Sequence, residues 1–138
     1  SRGLGDVYKR QADELLEDNA RTIVGPVISE RCKPELRNHT IETAGVLNKA
    51  GVPMCICTDH PVVPEQYLPL SAGLAVRGGL DRNEALKAIT IYPAQITGIA
   101  DRVGSIEPGK DADIVIFSGD PLSVCDTPDM VIVNGTVI

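Results

Sequence analysis

The chain has 138 residues, room for one domain of ordinary size, and 43% of them are hydrophobic, too many for a disordered chain. With one Phe, three Tyr and no Trp, any core has to be aliphatic. A net charge of −6 argues against nucleic-acid and anionic-membrane partners, which need Lys/Arg-rich faces; no apolar run nears the ~20 residues of a spanning helix, and with no charged-then-apolar signal pattern a cytoplasmic protein is expected.

Residues 1–11 read SRGLGDVYKRQ. The stretch Asp6-Val7-Tyr8-Lys9-Arg10-Gln11 is what GAT GTG TAT AAG AGA CAG encodes, and this resembles the end of a transposase-type sequencing adaptor. The segment is expected to be a non-native lead-in, outside fold reasoning, with an ordinary polar lead-in as the alternative.

Ala12, Leu15, Leu16 and Asn19 have helical spacing, predicting a short amphipathic helix over 12–19. The run 21–28 is apolar and β-branched, and Gly25-Pro26 predicts that this strand ends early or bulges. Ser29 to His39 is polar and charged, hence a long loop of the sort that often carries function. Thr40 is the expected cap of a helix that runs to about Ala50 and stops at Gly51. A second apolar strand, Val52 to Thr58, ends at Asp59-His60-Pro61.

Pro64 to Gly79 holds a helix whose Leu/Ala/Val pattern at 68–76 reads as core. Asp81 with Glu84 predicts a capping pair for a helix through Ile89. Pro93 suits the first position of another short helix, stopped by Gly98. Helices alternating with near-continuous apolar strands read as β/α units around a parallel sheet.

The character changes after Ile99. Pro108-Gly109 suits the centre of a type II turn. Asp113 to Phe117 is a strand, and Met130–Val133, Asn134-Gly135, Thr136–Ile138 reads as a hairpin, since Asn-Gly between β-branched runs is a strong hairpin signal. Residues 100–138 are therefore expected to form a small antiparallel β module. The four cysteines, Cys32, Cys55, Cys57 and Cys125, match no zinc-finger spacing and read as reduced thiols. Cys55 and Cys57 would share one face of a strand, with a soft-metal pair as the sharper alternative.

Thr58-Asp59-His60 is where chemistry is expected. A carboxylate just past the C-terminal end of a buried parallel strand lies on the face where β/α folds place active sites. Such an Asp can ligate a metal or take a proton from a metal-bound water, and it can equally cap a helix or make the turn before Pro61. Position alone leaves these open. His60 starts on the opposite side of the strand end from Asp59 and either contacts substrate or is structural. Arg31 and Lys33 lie in the loop after the first strand, as anionic-substrate contacts or as solvated loop charges. His39 reads as a solvated loop residue.

Three blocks occur in order: Thr58-Asp59-His60-Pro61; Ala85-Leu86-Lys87-Ala88-Ile89-Thr90 with Pro93-Ala94 and Gly98-Ile99; and Val103 to Val115 with its Glu107-Pro108-Gly109-Lys110-Asp111-Ala112-Asp113 centre. Together they resemble the C-terminal end of the amidohydrolase superfamily on its imidazolonepropionase-like side, over about residues 12–138. The resemblance implies an α/β fold: the C-terminal part of a (β/α)₈ TIM barrel over 12–99, then C-terminal strands of a composite β-sandwich over 100–138. It implies hydrolysis of a C–N bond in a cyclic amide, imidazolone-like or related small molecule by water activated on a divalent metal, zinc being the expected ion. Asp59 matches the family's eighth-strand Asp, as metal ligand and general base; Thr22–Ile28 and Val52–Thr58 match the seventh and eighth strands.

The departures matter as much. The family also uses a His-x-His pair on its first strand and further ligands on middle strands, and neither of the two histidines here matches them. One carboxylate cannot hold a catalytic ion against water, because such sites use three or more protein ligands. The 138-residue chain by itself is expected to be inactive. A non-catalytic, barrel-derived binding or assembly module is the second reading. A standalone nucleotide-binding α/β domain would need a Gly-rich strand-to-helix turn, and none is present.

Overall fold

Thr22-Ile23-Val24 and Met54-Cys55-Ile56 are short apolar runs in which one strand supplies the edge the other needs. They pair in parallel as β1 (Thr22–Val24) and β2 (Met54–Ile56), with Thr22 opposite Met54, Ile23 opposite Cys55 and Val24 opposite Ile56. The computed structural model describes residues 9–29 and 39–138. Both strands are shorter than the apolar runs that contain them. β1 stops at the Gly25-Pro26 pair, as expected, because proline has no N–H to continue a ladder. The ladder still reaches past β2: the Thr22 N–H donates to the Pro53 carbonyl and the Cys57 N–H to the Val24 carbonyl, both at 2.9 Å.

Five helices accompany this pair: α1 (Lys9–Glu17), α2 (Thr43–Ala50), α3 (Leu68–Arg77), α4 (Arg82–Ala88) and α5 (Ile91–Thr97), with a 3₁₀ turn over Glu65–Tyr67 leading into α3. α1 begins three residues before the predicted start at Ala12, since Lys, Arg and Gln are good helix formers and continue the helix backward. It ends at Glu17 rather than Asn19. Asn19 instead takes φ +49°, and Ala20 donates to the Leu15 carbonyl at 2.8 Å, the left-handed exit that Asn tolerates.

Thr40 does not cap α2 directly. Its carbonyl accepts from both the N–H and the hydroxyl of Thr43, at 3.4 and 3.0 Å, so Thr40 closes a turn ahead of the helix, whose N-cap is Glu42. Asp81 caps α4 as predicted, its carboxylate accepting from Asn83 and Glu84 N–H groups at 2.8 and 3.1 Å. Pro93 is the third residue of α5, not the first. A proline is accepted there because the first-turn N–H groups have no helical acceptor to lose.

The core lies between the β1–β2 pair and helices α2 to α4. Leu47 is fully buried, with Val24, Met54 and Ile56 from the strands and Ala72, Ala75, Ala85 and Ala88 from α3 and α4. The alanines let the two helices approach closely. Burying a side chain the size of Leu47 contributes roughly 1.5–3 kcal/mol. The core is aliphatic, as the composition requires.

After α5 the chain forms the three-stranded antiparallel sheet β3 (Ile114–Ile116), β4 (Met130–Val133) and β5 (Thr136–Val137), in the order β3-β4-β5. The β4–β5 hairpin turns on Asn134 and Gly135 at φ +50° and +78°, the two positive values a tight two-residue hairpin turn demands. The β3–β4 connection returns to the helices. Leu122 is buried there, and its carbonyl would stand 2.6 Å from a Cβ placed on Gly73 of α3, so only glycine admits this approach. Arg82 at the start of α4 pairs with Asp120 of the same connection.

Candidate active site

Alternation places Thr22, Val24, Met54 and Ile56 toward the helices and Ile23 and Cys55 on the other face of the pair. Ile23 is 46% exposed there, while Cys55 is buried. The chain leaves β2 through Cys57 and the buried Thr58 into a turn at Asp59-His60-Pro61. Asp59 stands in the left-handed region at φ +55°, which Asp tolerates better than most residues. Its carbonyl accepts from Val62 N–H at 2.8 Å, and the Thr58 carbonyl accepts from Val63 N–H at 3.3 Å. The Asp59 carboxylate is thus on the carboxyl-end side of two parallel strands and exposed. His60 is exposed beside it. Arg31, Lys33 and Cys32 lie outside the described residues.

Burial pushes the Cys55 thiol up to about 11, with the neighbouring Cys57 adding to the effect. The Cys57 thiol is also raised, first by burial and further by the Asp59 carboxylate; the Asp59 backbone N–H, donating toward the sulfur, opposes them. Cys55, Cys57 and Cys125 are all free thiols. Among the described residues no group of three His, Cys, Asp or Glu side chains is placed to hold a metal ion. These residues therefore do not make a closed metal site, since one carboxylate is one ligand of the three or more that a catalytic ion needs.

His39 departs from its predicted role. It is half-buried, and its Nε2 lies 2.9 Å from the Pro26 carbonyl, just past β1. A close approach between the strand ends also escaped the sequence reading. A Cβ on Gly25 would stand 2.2 Å from the Cys57 carbonyl oxygen and 2.7 Å from its sulfur, so the two segments touch there. The signal lies in Gly25-Pro26, which by itself predicts only that the strand ends early or bulges.

The larger hollow is elsewhere. A cavity of about 540 Å³ lies by Arg21, Asn48, Pro53, Met54, Tyr92 and Gln95, at the amino ends of the strands and away from Asp59. In β/α folds the amino-end face serves stability and the carboxyl-end face chemistry, so this cavity is not read as the reaction site. The hollow between Gly25, Val27, His39 and Thr40 has room for about 10 Å³, too little for a substrate. No helix among the described residues is long and apolar enough to cross a membrane.

The chain is 35% identical over 104 residues to the amidohydrolase TasK of Hapsidospora irregularis, covering 75% of this chain and 11% of that protein. It is 47% identical over 72 residues to the imidazolonepropionase of Geobacillus kaustophilus, covering 50% of this chain and 17% of that one. The mixed α/β fold superposes on an amidohydrolase from Thermotoga maritima with a TM-score of 0.89 at 38% identity, over 94% of this chain and 34% of that chain. The chain thus spans between about a tenth and a third of these relatives. The sequence model of the amidohydrolase family matches residues 10–138, and the chain belongs to that family.

Proposed function

We propose that this chain is the C-terminal part of a metal-dependent amidohydrolase that cleaves a C–N bond in a cyclic amide, imidazolone-like or related small molecule by metal-activated water. In this reading residues 12–99 complete a TIM barrel and residues 100–138 contribute strands to a β-sandwich. The carrying observation is the position of Asp59, exposed past the carboxyl ends of two parallel strands, in a chain that belongs to the amidohydrolase family. A carboxylate there can serve as one ligand of a divalent ion, zinc in this reading, and as general base. The remaining ligands come from parts of the protein beyond these 138 residues, so the chain alone is inactive. The imidazolonepropionases among its relatives support the imidazolone-like substrate class. His60, Arg31 and Lys33 are assigned to substrate contact, and the enzyme to the cytoplasm.

The test uses the full reading frame of the parent. Purified parent protein is expected to carry a divalent metal and to hydrolyse imidazolone propionate or a related cyclic amide. Asp59→Ala is expected to lower the rate by about 10²–10⁴-fold, the usual contribution of a general base, and to lower metal content. Full activity and full metal occupancy in that variant would overturn the assignment. A parent without metal or hydrolytic activity would favour the non-catalytic binding or assembly module.

A further inference from the structure

The cavity of about 540 Å³ at the amino ends of β1 and β2 is lined by polar groups whose hydrogen bonds fix what each can offer a ligand. Arg21, just ahead of β1, donates from Nη1 to the Gln95 carbonyl of α5 at 3.3 Å. That bond uses one of the five N–H donors of a guanidinium. Among the described residues no carboxylate pairs with Arg21. A planar cation with unused donors therefore stands in the cavity wall, in the form that suits a carboxylate.

Asn48 and Tyr92 line the same hollow. Both are fixed by Glu84, which does not line it. Glu84 is ion-paired with Lys87 at 2.8 Å, and an ionised carboxylate can only accept. Asn48 therefore turns Nδ2 to it, at 3.2 Å, and Tyr92 gives it the hydroxyl proton, at 2.6 Å. The Tyr92 oxygen, its proton committed, has only lone pairs left for a ligand, and Asn48 Oδ1 is likewise left to accept. Val52, Met54 and Ile96 add apolar lining. The volume falls in the range of small-molecule sites, about 300–1,000 Å³.

We propose that this cavity is a ligand site on the amino-end face, taking a small carboxylate that has an apolar body and an N–H donor, the chemistry of an N-acylated apolar amino acid. Its carboxylate meets the Arg21 guanidinium. Its N–H meets Asn48 Oδ1 or the Tyr92 oxygen, and its apolar body lies against Val52, Met54 and Ile96. The site shares no residue with the Asp59 turn, and the inference does not depend on the catalytic reading of Asp59.

The experiment titrates N-acetyl-L-leucine into the purified parent protein by calorimetry. One saturable site of about millimolar affinity or tighter is expected, the scale for so small a ligand. Arg21→Gln is expected to weaken binding about tenfold or more, because it removes the charged donor. Ile96→Phe, which narrows the hollow and leaves Arg21 in place, is expected to weaken it by a similar factor. N-acetyl-L-leucinamide, without the carboxylate, is expected to bind about tenfold more weakly, and 4-methylpentanoate, without the N–H, about fivefold. Asp59→Ala is expected to bind the probe as wild type does.

A parent protein with no saturable binding would overturn the proposal. So would unchanged affinity in Arg21→Gln, since the guanidinium would then play no part. Binding abolished by Asp59→Ala would put the probe at the strand mouth and overturn it as well. A parent that binds the probe through Arg21 and hydrolyses no amide supports this site while the reading of Asp59 fails.

Discussion

Tyr92 donates its hydroxyl to Glu84 Oε2 across 2.6 Å, joining α5 to α4. The same oxygen accepts from Asn48 Nδ2 of α2 at 3.2 Å, and Oε1 accepts from Lys87 Nζ at 2.8 Å. One carboxylate therefore fastens three helices. The Lys87 hydrogen bond, followed by that from Tyr92, holds the Glu84 carboxyl below its usual range, and the same Glu84 bond pushes the Tyr92 phenol up. A depressed carboxyl pKa stabilises the fold fully above the unfolded value, about 4.3 for Glu, and the contribution is lost as pH falls through the lower folded value. Tyr92→Phe is expected to cost about 1 kcal/mol near neutral pH. Thermal melts of wild type and variant in the parent protein, compared at neutral and acidic pH, check this; the gap is expected to narrow in acid.

Gly25 and Gly51 predict opposite outcomes for the same substitution. A Cβ on Gly25 meets the Cys57 backbone at 2.2 Å, and backbone cannot turn aside as a side chain can. Gly51, at φ +81°, has open space around its Cβ position. Gly51→Ala is expected to cost about 1 kcal/mol, for conformational strain alone. Gly25→Ala is expected to cost about 3 kcal/mol or more, or to part the two strand ends. Denaturant unfolding of both variants in the parent protein ranks them.

Leu47 is fully buried at the centre of the aliphatic core. Leu47→Ala is expected to destabilise by about 2–5 kcal/mol, through lost burial and the cavity left behind. The same measurement on Leu16, which is exposed on α1, is expected to show less than about 0.5 kcal/mol.

Expressed by itself, the 138-residue chain is expected to bind ANS and to aggregate. The observed reason is apolar surface: Ile23 on the open face of the β1–β2 pair, and Val115, Ile116, Met130, Val133 and Val137 across the C-terminal sheet, are all exposed. Size-exclusion chromatography with dye binding checks this, and a monomer with a cooperative melt would contradict it. The isolated chain is also expected to hold no stoichiometric zinc, because its described residues bring no three ligands together. Metal analysis finding one tightly bound ion per chain would refute that.

The sequence made the local elements readable and the contacts between them largely unreadable. β1 and β2 were visible as β-branched or apolar runs between polar segments, and Asn134-Gly135 announced the hairpin by its turn chemistry. Asp59 could be placed past a strand end because the apolar run stops abruptly at Thr58. Boundaries failed where tertiary or backbone bonding intervened. Thr40 closes a turn with Thr43 instead of capping α2, and the Glu84 carboxylate binds Tyr92, Asn48 and Lys87 instead of returning to the Asp81 N–H, so only the Asp81 half of the expected capping pair forms. His39 was read as solvated because its acceptor, the Pro26 carbonyl, is 13 positions away in the chain. Gly73 and Leu122 meet across 49 positions, and no periodicity records such a meeting.

The meeting of Leu122 with Gly73 also limits how the C-terminal segment can be exchanged. A graft that replaces residues 100–138 with a homologous module must bring its own plug of matching size, or open a hole beside α3. Conversely, a bulkier residue at 73 would push back the Leu122 carbonyl and leave the Arg82–Asp120 pair as the tie between this connection and α4. The seam between the two segments is therefore a matched lock, and recombination across it is expected to succeed only when both halves of the lock are inherited together.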